Sequence, residues 1–220
     1  MQTVAVREKP ILFSGPMVKA ILEGRKTQTR RIVKPQPPEY INELHGRELS
    51  KRAPYRLEDD DGNYCGLGFQ DDNNVFYRCH HGQPGDRLWV KETFQYTEQA
   101  INETPGVVYR ATDPDWETME GWKWRPSIFM PRADSRITLE ITEVRAQRLQ
   151  EISEEDALSE GFVRLPATGR VVLVKGGQYF GNAWPSAKAA FAALWDQING
   201  DKFPWSSNPW VWCISFRKVD

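Results

Sequence analysis

Ile137, Leu139 and Ile141 alternate with Thr138, Glu140 and Thr142, a period of two that predicts a half-buried strand. Leu88 to Phe94 and Val107 to Arg110 read as further strands. So does the closing run Trp210-Val211-Trp212-Cys213-Ile214-Ser215-Phe216. Helical spacing occurs elsewhere. Phe191, Leu194, Trp195 and Ile198 form one apolar stripe, which predicts a helix over 185–198 ended by Gly200. Met17, Val18, Ile21 and Leu22 form a second stripe, with Ser14 as a candidate cap and Gly24 suited to the left-handed position past its end. A third, shorter helix is predicted over 153–160, where Ser153 and Asp156 resemble a capping box and Gly161 closes the end. Several short strands with few helices predict an α+β domain, a small β-barrel carrying flanking helices.

Turn residues punctuate this pattern. Pro35, Pro37 and Pro38 stop regular structure after the first helix and the segment that follows it. Residues 36–83 read as a polar insertion with turn material at 58–62 and 71–74 and a short strand at 75–77. Residues 113–127 are Trp-rich and irregular, and 164–183 read as a Gly-rich loop or long hairpin. No internal repeat is visible, so the 220 residues form one domain with two long insertions, 36–83 and 164–183.

Composition narrows the class. Nine Trp and an aromatic content of 12% predict an aromatic-rich core and exclude a disordered chain. A formal net charge of -1 supplies no global field for nucleic acid, so any such binding must come from a local patch. Cys65, Cys79 and Cys213 are too few for a disulfide scaffold. The first nine residues lack the apolar run of a signal peptide, and no stretch is long enough to span a bilayer. The expectation is a cytoplasmic protein with no membrane partner.

The local patch is Gly24-Arg25-Lys26-Thr27-Gln28-Thr29-Arg30-Arg31. Four cations and two hydroxyls stand together without an acid. Placed after a helix, they predict an ordered cationic loop suited to phosphate, nucleotide or RNA.

Four elements carry a family resemblance. They are the helix with Gly24 to Arg31, Gly85-Asp86-Arg87-Leu88-Trp89-Val90, the segment 152–161, and the strand Trp212 to Phe216. In this order they resemble the ASCH superfamily, small β-barrels related to the PUA fold and linked to RNA. With Trp124-Arg125-Pro126-Ser127 and Met130-Pro131 added, nearly the whole chain is similar to ASCH proteins of phages and prophages. The resemblance implies RNA or a modified nucleoside as partner and requires no cofactor or metal.

One ASCH branch deacetylates N4-acetylcytidine with a Lys, a Thr and a Glu. By motif position the resemblance implies Lys26, Thr29 and Glu160 as the catalytic group. It implies Arg25, Thr27, Arg30 and Arg31 as substrate or RNA contacts. The insertions have no counterpart in that branch. Amide hydrolysis needs a nucleophile, a base and a proton donor. A threonine needs a base, and a lysine serves only with its pKa brought towards neutrality by burial or nearby cations. Thr27 is almost as good a nucleophile candidate as Thr29. Glu160 stands in the last turn of its helix, where the dipole disfavours an acid by roughly 0.3–1 kcal/mol, so a partner such as Lys26 is expected to hold it. Neither Lys26 nor Glu160 falls in the apolar pattern of the core.

The expected function is therefore binding of RNA or a nucleotide, with amidohydrolysis of an acylated base as the candidate enzymatic activity. The alternatives are a non-catalytic RNA-binding module and, less favoured, a ribonuclease. Cys65 with Cys79-His80-His81 matches no standard zinc spacing. Trp116, Trp122 and Trp124 suit either base stacking or a core cap. Gly176-Gly177 lacks the strand–helix context of a phosphate loop.

Overall fold

A computed structural model describes residues 6–38, 55–58, 64–70, 75–101, 104–113, 115, 121–175 and 178–219. In chain order the elements begin with β1 (Glu8–Leu12), α1 (Gly15–Leu22), β2 (Gln28–Ile32), β3 (Tyr55–Glu58), β4 (Tyr64–Gln70) and β5 (Phe76–Arg78). There follow β6 (Arg87–Lys91), β7 (Phe94–Ile101), β8 (Thr104–Tyr109) and β9 (Thr138–Arg148). The chain closes with α2 (Glu154–Ser159), β10 (Val163–Arg164), β11 (Val171–Lys175), β12 (Gln178–Trp184), α3 (Ala187–Asn199) and β13 (Trp210–Val219).

The fold is α+β. Its main sheet has the order β1-β6-β9-β13-β2, with β1 parallel to β6 and the other pairs antiparallel. Among the described residues no strand pairing closes β1 onto β2, so the sheet is open where a closed barrel was expected. A side chain crosses that gap instead: Arg31 Nη2 donates to the Leu12 carbonyl at 2.7 Å. The smaller sheets are β3-β4-β5, β7-β8 and β10-β11-β12. The first lies within the expected insertion 36–83, and the second insertion, 164–183, is the β10–β12 sheet; Gly176 and Gly177 lie outside the described residues.

The two faces of the main sheet bury different cores. Leu88, Val90, Leu139, Ile141, Trp210, Trp212 and Ile214 pack on one face with Phe13 and with Val18 and Ile21 of α1. The other face carries Val211, against which α2, α3 and β11 place Ala157, Phe191, Trp195 and Val171. The stripe of α1 is as expected, with Met17 and Leu22 half-buried beside it. Ser14 occupies the cap position of α1, but its side chain makes no capping bond. In α3, Phe191 and Trp195 are buried while Ile198 stays 56% exposed, so the stripe stops one turn early.

The largest departure concerns the basic segment. Gln28 to Ile32 is an edge strand and not a loop, paired with β13 in the register Gln28–Ser215, Thr29–Ile214, Arg30–Cys213 and Arg31–Trp212. Charge density and the preceding helix are what predict a cationic loop. A strand with alternating polar side chains forms here because β13 supplies its backbone partners and other elements supply its counter-charges.

Candidate functional site

The end of α1 meets the end of α2. Gly24 adopts φ +72°, and the amides of Arg25 and Lys26 turn back onto the Ala20 carbonyl at 2.8 and 3.0 Å. On α2, Ser153 Oγ accepts from the Asp156 amide at 3.0 Å, and Gly161 ends the helix at φ +108°. Thr27 N donates to Ser159 O at 2.9 Å, and Lys26 and Glu160 form an isolated antiparallel bridge. Backbone contacts thus seat Glu160 opposite Lys26.

Their side chains meet in the interior. Lys26 Nζ donates to Glu160 Oε2 at 2.6 Å, to the Glu160 carbonyl at 3.0 Å and to the Gln28 carbonyl at 2.9 Å. Three acceptors match the three protons of an ammonium. Burial pushes the amine's pKa down, and the adjacent Glu160 carboxylate opposes that shift. The expectation that neither residue belongs to the core is corrected: Lys26 is 2% and Glu160 4% exposed. This pairing also explains an acid at the negative end of a helix.

Arg30 is likewise buried rather than free for phosphate. Nη1 donates to Gln28 Oε1 at 2.7 Å and Glu160 Oε1 at 3.1 Å, and Nη2 to Asp156 Oδ2 at 2.8 Å. With the Gln147 amide turned so that its oxygen faces the guanidinium, Gln147 accepts from Nη2 at 3.0 Å and Nε at 3.3 Å. Asp156 also accepts from Arg145 Nη2 at 2.8 Å. Two carboxylates, Asp156 and Glu160, therefore answer three cations, Lys26, Arg30 and Arg145. Arg25 is half-buried, paired with Glu23 and bonded to the Gly161 carbonyl at 2.5 Å.

Thr29 and Arg31 occupy the opposite face of β2 from Gln28 and Arg30, on the side of Ile214 and Trp212. The Phe13 ring lies on this side, with Lys26 Nζ 5.5 Å and the Arg31 guanidinium 5.2 Å from its centroid. Thr29 is buried, and its hydroxyl makes no hydrogen bond to Lys26 or Glu160. Thr27 is exposed. The structure thus joins Lys26 to Glu160 and leaves both hydroxyls unbonded to that pair.

Arg31, alone of the segment's four cations, lines a cleft. The cleft measures about 490 Å³ and runs along the free edge of β2, between the His80–His81 turn and the C-terminal end of α3. Lys34 and Lys202 add charge, Trp212, Phe203 and Ile198 add apolar wall, and Asp201 is the one acid lining it among the described residues. Arg31 Nη2 is bonded to Leu12, while Nε is buried without a hydrogen-bond partner among the described residues. Desolvation lowers the Arg31 pKa, and Glu160 partly offsets this. Burial first, then Arg31 and Lys9, push the His81 imidazole down to about 4. It is therefore neutral at pH 7, able to accept as well as donate.

Lys34, Lys202, Phe203 and Trp212 carried no sequence signal as a site. Gln28 carried none either, since every position from Arg25 to Arg31 is polar and no alternation marks a strand. Of the other candidates, Cys79 is buried and its thiol is raised to about 11, chiefly by desolvation. No metal-type cluster of His, Cys, Asp and Glu occurs among the described residues, and the Cys65 side chain lies outside them. Trp122 and Trp124 pack edge to face at 5.5 Å, and Trp116 lies outside the described residues. No described helix is long and apolar enough to cross a membrane.

Comparison with protein-family models, with curated proteins and with solved structures returns no match to this chain.

Proposed function

We propose that this protein binds RNA or a nucleotide at the β2 edge, as an ASCH-type module of PUA-like ancestry. One observation carries the reading. Arg31 has a buried Nε with no hydrogen-bond partner among the described residues, and it stands at the rim of a cleft whose other charged residues are mostly cationic. A desolvated cation with no direct ion pair gains most from an anionic ligand. The apolar wall suits a base or ribose. The test is a titration of single-stranded RNA with wild-type protein and with Arg31→Ala over a series of salt concentrations. Binding that weakens in the variant with a shallower log–log salt slope, by about 0.7 for each phosphate no longer neutralised, supports the reading. Equal affinity and slope overturn it.

A second reading, amidohydrolysis of an N4-acylcytidine, draws on the Lys26–Glu160 contact. The pair couples an amine whose pKa burial lowers to a carboxylate beside it. In the described geometry the amine donates to three acceptors, so Lys26 must first pass one of its protons to Glu160 and turn the freed lone pair towards the hydroxyl before it can take a proton from Thr29. Acetate release from N4-acetylcytidine by wild-type protein, abolished in Glu160→Gln, supports this reading. No release by a folded protein that binds RNA leaves the binding module, and RNA cleavage that survives Glu160→Gln points to a nuclease.

A further inference from the structure

The charge and size of the β2-edge cleft narrow its ligand. Among the described residues its side chains formally charged at pH 7 are Arg31, Lys34 and Lys202 against Asp201, three cations and one acid, a surplus of two. A volume of about 490 Å³ falls within the roughly 300–1,000 Å³ of small-molecule sites. That suits one nucleotide better than a length of strand. Lys34 and Lys202 are exposed, and no ion pair to either occurs among the described residues. Glu23, Asp156 and Glu160, the acids that pair with the rest of the basic segment, are engaged by Arg25, Lys26, Arg30 and Arg145. The surplus is therefore not answered from within the cleft.

A phosphodiester carries one negative charge, whereas a phosphate monoester carries about 1.5 to 2 at pH 7. The monoester matches the surplus and presents three terminal oxygens to one guanidinium and two ammonium groups. Trp212 and Phe203 form the apolar side of the same cleft, where a base and sugar displace water.

We infer that the cleft takes the phosphate monoester of a single nucleotide, either a free nucleoside monophosphate or the phosphorylated end of an RNA. This rests on the nucleotide-binding reading and deepens it. Arg31 and the two lysines hold the terminal phosphate, and the Trp212–Phe203 wall receives the nucleoside.

Calorimetric titration of the whole chain tests it. The probes are cytidine 5′-monophosphate, cytidine, cytidine 3′,5′-cyclic phosphate, and one oligoribonucleotide with and without a 5′-phosphate. The monophosphate is expected to bind at least about tenfold more tightly than cytidine or the cyclic diester. Lys202→Ala and Lys34→Ala, both at exposed positions, should each cut monophosphate affinity by about threefold to tenfold while leaving the melting temperature in place. If the source is an RNA end, the 5′-phosphorylated oligonucleotide outcompetes its unphosphorylated form; if it is a free nucleotide, the monophosphate alone binds. Both outcomes support the monoester site. An oligonucleotide that binds equally with or without its 5′-phosphate, with no preference for the monophosphate over the cyclic diester, overturns the monoester site and leaves RNA binding standing. Absence of binding to every probe overturns both.

Discussion

Lys26 Nζ lies 2.6 Å from Glu160 Oε2, with both side chains almost wholly removed from solvent and their backbones joined by an isolated bridge. Residues 134 positions apart thus share one buried charge pair. Removing Glu160 leaves the Lys26 ammonium without its counter-charge and removing Lys26 leaves Glu160 with Arg30 alone, and breaking such a buried pair costs roughly 3–5 kcal/mol. Lys26→Met and Glu160→Met should each lower stability by about that much in chemical denaturation, far above the cost of a surface substitution. The double variant should lose less than the sum of the two, because each single change already removes their shared contact. Additive losses would show that the pair is not energetically coupled.

Arg30 and Arg31, adjacent in sequence, should separate by phenotype. Arg30 faces Gln28, half-buried Asp156 and buried Glu160, so Arg30→Ala leaves both carboxylates short of a partner and should cost about 3 kcal/mol. Its RNA salt slope, measured where the protein remains folded, should match wild type. Arg31→Ala should instead reduce that slope. Equal effects of the two substitutions on the slope would contradict the division of faces along β2.

Gly161 joins the two helix ends. At φ +108° it holds a backbone that L side chains rarely adopt, and a Cβ there would meet the Ala20 Cβ at 2.9 Å and the Lys26 Cβ at 3.3 Å. Gly161→Ala should therefore destabilise by about 1–3 kcal/mol, with a fall in melting temperature. Gly169 has φ +67° with open space around it, so Gly169→Ala tests backbone strain alone and should cost less. Equal losses at both sites would mean that the close approach to α1 contributes nothing.

His81 supplies a pH dependence. Its imidazole is held down to about 4 in the fold from an ordinary value of 6.5, so between these values the unfolded chain binds more protons than the native one. Stability therefore rises with pH across this window and falls as pH drops from about 6.5 towards 4. The loss attributable to His81 is on the order of 3 kcal/mol. Replacing His81 with Gln should flatten the stability profile in that window, and NMR titration of the His81 ring should report a midpoint well below 6. A midpoint near 6.5 would show that Arg31 and burial do not act on this ring.

Much of the framework was legible as local pattern. Ile137, Leu139 and Ile141 declared a strand because alternation is a property of neighbours. Ser153 and Gly161 bounded α2 because capping and a left-handed end are decided within a few residues. The basic segment was legible as a candidate site by residue type, and its placement beside Glu160 followed from an acid standing at the wrong end of a helix.

Only the tertiary structure decided what that segment became. Arg25 to Arg31 taken alone is a run of charge that water solvates well, and no local rule turns it into a strand. β13 supplied its hydrogen bonds, and α2 carboxylates 126 to 134 positions away neutralised Lys26 and Arg30. Strand geometry then sent alternate side chains to opposite faces, burying Arg30 and leaving Arg31 at an open edge. The cleft had no local signature, because Arg31, Lys34, Lys202 and Trp212 meet only where the β2 edge, β13 and the end of α3 converge. A sequence states which charges a chain carries; long-range packing decides which are paired inside and which stay without an ion pair at an edge.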